Sequence, residues 1–205
     1  MISLFLDTTT KKLVVILVKD NEIIGKKELE SINDHASYLV PFIDEVLSDN
    51  NLTTKDINKI YVVNGPGSFT GTRIGVTVGK TLAYSNNMKV IPVSSLKQYV
   101  FSETGYDYYV SIITDKNNMY YGIYDKDYKD IIKDKYSTKE IFLKDISTLT
   151  GSTLFISEND VPEIEVVKPK LDILKLMEYY KDDEIDSHSL KPNYLKKIDA
   201  ESLLW

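Results

Sequence analysis

Residues 64–81 read NGPGSFTGTRIGVTVGKT, a glycine-rich run that closes on Gly-Lys-Thr. Such a run suggests phosphate chemistry, because small residues let backbone N–H groups close on an anion and a lysine neutralises it. The spacing argues otherwise. A P-loop needs Gly, four residues and then Gly-Lys-Ser/Thr, and the residue five before Gly79 is Ile74. The dinucleotide fingerprint needs its third glycine after a gap of two residues, whereas Gly65, Gly67 and Gly71 leave a gap of three. A weaker anion reading stays open. Gly65, Gly67 and Ser68 stand where a strand turns into a helix, and free N–H groups there attract anions. An ordinary glycine turn capped by Ser68 accounts for the same residues equally well.

Other chemistry-bearing residues are sparse. There is no cysteine, which excludes a disulfide framework, a thiolate metal site and a cysteine nucleophile. The two histidines, His35 and His188, form no local pair. His35 falls in the first turn of an expected helix and reads as an interface or capping residue rather than a ligand. Asp7 ends the first apolar run, where an aspartate commonly caps its own turn. Arg73 is the sole arginine among lysines. It is either a solvated cation or a charged contact, bidentate to a partner carboxylate. Tyr106, Tyr108, Tyr109, Tyr120, Tyr121 and Tyr124 alternate along expected strands, which favours sheet packing over base stacking.

The elements that must position these residues follow from the hydrophobic pattern. Residues 2–7, 12–18 and 22–30 read as an antiparallel meander of strands. A helix follows, capped by Asn33 or Asp34. Its Ala36, Leu39, Val40, Ile43, Val46 and Leu47 share one face, and Pro41 inside it favours a kink. Next come a strand at 60–63, the glycine turn, a helix over about 69–85 and a strand near 89–93. Gly71, Gly75, Gly79 and Ala83 lie four apart on that helix. Each interior glycine costs about 1 kcal/mol relative to alanine, so something must offset it. A stripe without side chains lets a second backbone come close. That backbone belongs to the chain's own sheet, to a neighbouring helix, or to a partner helix from another chain. Ile74, Val78 and Leu82 form a second stripe suited to the core. On the partner reading, Gly75→Leu abolishes binding and leaves the fold intact.

LFLDTTTKKLVVILVKD (residues 4–20) and SIITDKNNMYYGIYDKD (residues 111–127) share one plan: strand, Asp, polar turn, strand, Lys-Asp turn. The reading is a duplicated α/β subdomain, 1–104 and a smaller, degenerate 105–205 with no glycine loop. The acidic run Asp182, Asp183, Glu184 and Asp186 reads as a solvated loop before a final helix, with a return of that helix to the first subdomain left open. The chain has 205 residues, 42% of them hydrophobic, and a net charge of −6. It therefore has enough apolar residues for a core, and its acidity disfavours direct gripping of nucleic acid or a membrane surface. MISLFLD is no secretory signal and residues 13–18 fall short of a membrane span, so a soluble, cytoplasmic protein is expected.

GPGSFTGTRIG, residues 65–75, resembles the signature of the TsaB (YeaZ) family. LFLDTTT, NDHASYLVPFIDEVL, DKNNMYYGIYD and KPNYLKK resemble four further elements of that family, with Lys196 where arginine is usual. The match is strong over residues 1 to about 100 and thin beyond. The resemblance implies two duplicated RNase-H-like subdomains of the actin, sugar-kinase and Hsp70-like ATPase superfamily, in which Asp7 would face a metal–nucleotide complex. It also implies a non-catalytic subunit that supports a homologous catalytic protein, TsaD, in threonylcarbamoyl transfer to the tRNA adenosine beside the anticodon. A TsaE-type ATPase would join the complex, tRNA would be met indirectly, and the chain alone would homodimerise. Catalytic relatives carry a His-x-x-x-His metal pair whose positions fall on Ser95 and Tyr99 here, and neither replaces an imidazole ligand. No resident cofactor or metal is implied, and ATP would enter only through the partner. The expected partner interface is His35, Leu39, Gly71, Arg73, Gly75, Gly79 and Ala83. The alternative is a stand-alone ATP-dependent kinase or a metallopeptidase-like enzyme, and an adaptor unrelated to tRNA is a third reading.

Overall fold

In the computed structural model of the chain, residues 1–30 and 34–196 are described. They form two compact units, residues 1–95 with 173–193, and residues 96–172 with those from 194 onward.

The first unit opens with β1 (Ile2–Asp7), β2 (Lys12–Lys19) and β3 (Glu22–Glu30). The near-continuous apolar runs ISLFLD and KLVVILVK are buried along almost their whole length, as central strands covered on both faces must be. β3 alternates and carries charge, which suits an edge strand. After α1 (His35–Ser48) the chain returns as β4 (Lys59–Val63), parallel to β1, then forms α2 (Phe69–Ser85) and β5 (Lys89–Val93), parallel to β4. β1 and β2 are antiparallel from Ile2↔Lys19 to Asp7↔Val14, which places the turn at Thr8–Lys11 beside the C-terminal end of β1. Pro41 lies inside α1 on its exposed side. Asp34 is the N-cap residue of α1 but makes no side-chain capping bond, and Asn33 lies outside the described residues. Leu39, Ile43, Val46 and Leu47 of α1 enter the core, whereas Ala36 and Val40, expected on the same face, stay exposed.

The second unit repeats the plan with β6 (Tyr108–Asp115), β7 (Asn118–Asp125), β8 (Asp130–Thr138), α3 (Lys139–Ile146) and β9 (Thr153–Ser157). Its strand order, β8-β7-β6-β9, matches β3-β2-β1-β4 of the first sheet. β6 is antiparallel to β7 and parallel to β9, as β1 is to β2 and β4. Tyr121, Ile123 and Met119 pack with Phe142 of α3 in its core. Tyr109 and Tyr124 are buried as well, so the alternating tyrosines serve the sheet.

The boundary differs from the expected one after residue 104. The short helical turn Lys97–Ser102 belongs with the second unit, because Lys97 Nζ reaches Asp130 at 2.8 Å and the Phe101 ring lies 5.0 Å from Tyr128. α4 (Ile173–Tyr179) and β10 (Ile185–Asp186) belong with the first, where β10 completes the six-stranded order β10-β5-β4-β1-β2-β3. The acidic run thus follows α4, and the final helix expected after it would lie outside the described residues. A short helical turn, Ser187–Ser189, comes next, and residues 197–205 lie outside the described residues. No helix among the described residues is long and apolar enough to cross a membrane.

Candidate functional site

The glycine run is filled by the chain itself. The Thr8 hydroxyl donates to the Gly71 carbonyl at 2.6 Å, and the Ser68 N–H donates to the Thr9 carbonyl at 2.8 Å. Ser68 caps α2, its Oγ accepting from the Gly71 N–H at 3.1 Å. Asp7 is buried, and one carboxylate oxygen accepts from both the N–H and the hydroxyl of Thr9 at 2.7 Å. The Ser68 and Gly71 N–H groups are therefore engaged within the chain, and one Asp7 oxygen is engaged within the β1–β2 turn. A Cβ at Gly71 would stand 2.0 Å from the Thr8 carbonyl oxygen, and one at Gly67 2.4 Å from that of Thr9. A Cβ at Gly75 would meet Thr8 Oγ1 at 2.4 Å, and one at Gly79 would meet Val62 Cγ2 at 2.4 Å. Gly65 closes the other side, with φ +110° and a built Cβ 3.0 Å from the Asn193 carbonyl. The Asn193 N–H donates to the Asn64 carbonyl at 2.7 Å, and the Asn64 amide donates to the Lys191 carbonyl at 3.0 Å, so the KPN element is tied to the end of β4.

This corrects the expected interface. Gly71, Gly75 and Gly79 are covered by Thr8 and Val62 of their own chain, and Ala83 sits at 0% exposure in the core. Leu39 is also fully buried in that core, and His35 is buried with Nε2 3.4 Å from the Lys11 carbonyl. None of these six presents a surface to a partner. The close approach that the glycines permit is real, but the approaching backbone is the β1–β2 turn. Thr8 went unnoticed in the sequence, where TTT reads only as a polar turn.

The stripe expected to suit the core lies between the buried glycine row and the outward face of α2. Ile74, Val78 and Leu82 are half-buried and pack on the core along one edge. Val78 and Leu82 line an apolar groove whose other wall is Val40, Ile43, Asp44 and Leu47 of α1, floored by Leu52 and Thr53. Val40 is 56% exposed and Tyr38, two residues earlier, 44%. The physical reason is geometric. Only residues without side chains fit against Thr8 carbonyl and Val62, so α2 rotates its glycines inward and its branched residues toward the rim. A third row, Phe69, Thr70, Arg73, Thr77, Thr81 and Tyr84, faces outward, with the Arg73 guanidinium 3.9 Å from the centre of the Phe69 ring.

The counterpart of Asp7 in the second unit is Asp115, the last residue of β6. Its Oδ2 accepts from Lys196 Nζ and from the Tyr136 hydroxyl, both at 2.8 Å, while Asn118 donates to that hydroxyl at 3.0 Å. The Lys196 bond, with help from Tyr136, holds the Asp115 carboxyl below the usual carboxylate range, and Asp115 in turn raises Lys196. Lys196 thus acts as the internal counter-ion here. Ser95 is buried and its hydroxyl donates to the Pro66 carbonyl, while Tyr99 is half-buried. No group of three or more His, Cys, Asp or Glu with metal-ligand placement occurs among the described residues.

Comparison with known proteins gives consistent relatives. A family model described as "TsaD: tRNA N6-adenosine threonylcarbamoyltransferase" matches residues 23–154. The chain is 33% identical over 123 residues to the tRNA threonylcarbamoyladenosine biosynthesis protein TsaB of Bacillus subtilis (strain 168), covering 59% of this chain and 54% of that protein. It is 36% identical over 93 residues to TsaB of Haemophilus influenzae, covering 45% and 39%. The matches thus span about half the length of these curated relatives or less. Among solved structures, YeaZ from Pseudomonas aeruginosa superposes with a TM-score of 0.75 at 19% identity, over 94% of this chain and 100% of that one, which bears on fold alone. With the repeated strand order, these matches show that the chain belongs to the TsaB (YeaZ) family, and that its fold is α/β, built on two sheets that repeat one strand plan.

Proposed function

We propose that the chain is a non-catalytic subunit in tRNA threonylcarbamoyladenosine formation, and that it docks a TsaD-type catalytic homologue through the groove between α1 and α2. The observation that carries this reading is the inverted packing of α2: its glycine stripe is filled by Thr8 and Val62, and its branched row Ile74, Val78 and Leu82 is left at the surface beside Val40. Apolar side chains held half-open along two adjacent helices suit a second helix pair packing ridges into grooves. Asp44 is the charged residue in that lining, which favours a partner presenting a cation there. Without the partner the same face joins two copies of the chain, and a TsaE-type ATPase completes the assembly. The subunit supplies surface rather than chemistry. Asp7 at the end of β1 and Ser68 and Gly71 at the start of α2 make bonds within the chain, and Ser95 and Tyr99 stand where the resemblance places a histidine pair.

Pull-down of a TsaD-type protein by the full chain tests this directly. Co-purification at a fixed ratio is the expected result, and recovery of this chain alone at micromolar concentrations would refute it. The rival, a stand-alone ATP-dependent kinase or metallopeptidase-like enzyme, is tested by assaying the purified chain for ATP hydrolysis and peptidase turnover. Neither is expected above background.

A further inference from the structure

The outward row of α2 is used by neither the filled turn nor the groove, and its charge is unlike the rest of the chain. Asp and Glu number 31 in all, yet none occurs between Asp56 and Glu103. A second acid-free stretch, Thr8 to Lys19, contains Lys11 and Lys12. The two stretches meet at the first turn of α2, through the Ser68 bond to Thr9 and the Thr8 bond to Gly71. There Lys11, Lys12 and Arg73 are exposed together with Phe69. The remaining exposed positions of the row are the hydroxyls of Thr70, Thr77 and Thr81 and the ring of Tyr84, which is 65% exposed. Lys80 does not add to it, since its Nζ donates to the His188 and Leu190 carbonyls. The neighbouring α1 contrasts sharply, with Asp34 at its cap and Asp44, Glu45 and Asp49 along or just beyond it.

We propose that this row, Phe69, Arg73, Thr77, Thr81 and Tyr84 with Lys11 and Lys12, is a direct contact surface for the sugar–phosphate backbone of an RNA. The inference rests on the reading of the chain as a subunit in tRNA modification, and goes beyond it by giving this subunit an RNA contact of its own. Phosphate contacts come from Arg, Lys and hydroxyl side chains. The row and its neighbouring turn offer all three, with Glu30 of β3 standing opposite Lys12 as the one acidic neighbour in that pairing. Phe69, with the Arg73 guanidinium stacked on it, and Tyr84 add aromatic faces about 22 Å apart along the helix. The overall charge of −6 is carried elsewhere and limits this surface to an auxiliary contact within the assembled complex.

The test uses the full chain assembled with its TsaD-type partner and an unmodified tRNA transcript, with affinity read by fluorescence anisotropy across a salt series. Lys11→Glu/Arg73→Glu is compared with Lys168→Glu/Lys170→Glu, exposed lysines of the second unit that give the same change in net charge. The row variant is expected to weaken tRNA binding at least about tenfold and to flatten the salt slope by about two, one for each cation removed, with partner binding unchanged and the control variant near wild type. Equal tRNA affinity for both variants would overturn the proposal, as would wild-type assembly that binds no transcript. Loss of the protein partner by the row variant would also overturn it and make the row a protein contact. Failure of the wild-type chain to assemble would instead refute the partner reading.

Discussion

At the scale of single residues, the glycines separate by what stands opposite them. Gly71 faces a backbone oxygen, which cannot move without shifting the β1–β2 turn, whereas Gly75 and Gly79 face a hydroxyl and a valine methyl on rotatable side chains. Gly71→Ala is therefore expected to destabilise by about 3 kcal/mol, and Gly79→Ala by clearly less, part of the strain being offset by alanine's helix propensity. Urea unfolding of the two variants checks the order, and equal midpoints would contradict it. Gly75→Leu, which on the partner reading spares the fold, is now expected to unfold the first subdomain, because its whole side chain enters the space of Thr8. In the second subdomain, Asp115 has its titration depressed mainly by Lys196. A depressed carboxyl contributes stability above its ordinary pKa and loses it as pH falls through the lowered value. Lys196→Gln should move the Asp115 titration upward toward the usual carboxylate range in a carboxyl NMR experiment, and an unchanged midpoint would show that Tyr136 alone sets it.

At the scale of elements, α2 has three rows with three jobs, and the sequence made two of them readable. The four-residue spacing of Gly71, Gly75, Gly79 and Ala83 announced close backbone approach, and the apolar spacing of Ile74, Val78 and Leu82 announced a packing row. Which row turns inward was not legible, because it depends on a turn 60 residues earlier in the chain (Thr8 and Thr9) that no local periodicity records. The strands, α1, Ser68 as cap and the repeated hairpin were legible, since each rests on local pattern. Leu39 was placed on the apolar face of α1 that enters the core, and His35, expected at an interface, is buried beside the Lys11 carbonyl. Thr8→Val, which keeps shape and removes the bond to Gly71, should cost about 1–2 kcal/mol. Faster hydrogen exchange confined to the β1–β2 turn and the first turn of α2 would accompany it, and uniform exchange across the sheet would show that the bond is not local in effect.

At the scale of the whole molecule, duplication has given two copies of one hairpin with different fates. In the first, Asp7 is closed over by Thr9; in the second, Asp115 is neutralised by Lys196. Both aspartates are spent within their own subdomains, which fits a chain that contributes surface to a complex. The central claim is therefore that the α1–α2 groove, and not the glycine stripe, receives the catalytic homologue. Isothermal titration of a TsaD-type protein with wild type and with Val40→Asp/Val78→Asp tests it most directly, alongside thermal melting of each. Val40 is 56% exposed, whereas Val78 packs on the core from the groove, so the double variant should melt lower but stay folded at the titration temperature while affinity falls at least about a hundredfold, in line with removal of a central apolar contact. Binding within threefold of wild type by a folded double variant would contradict the account.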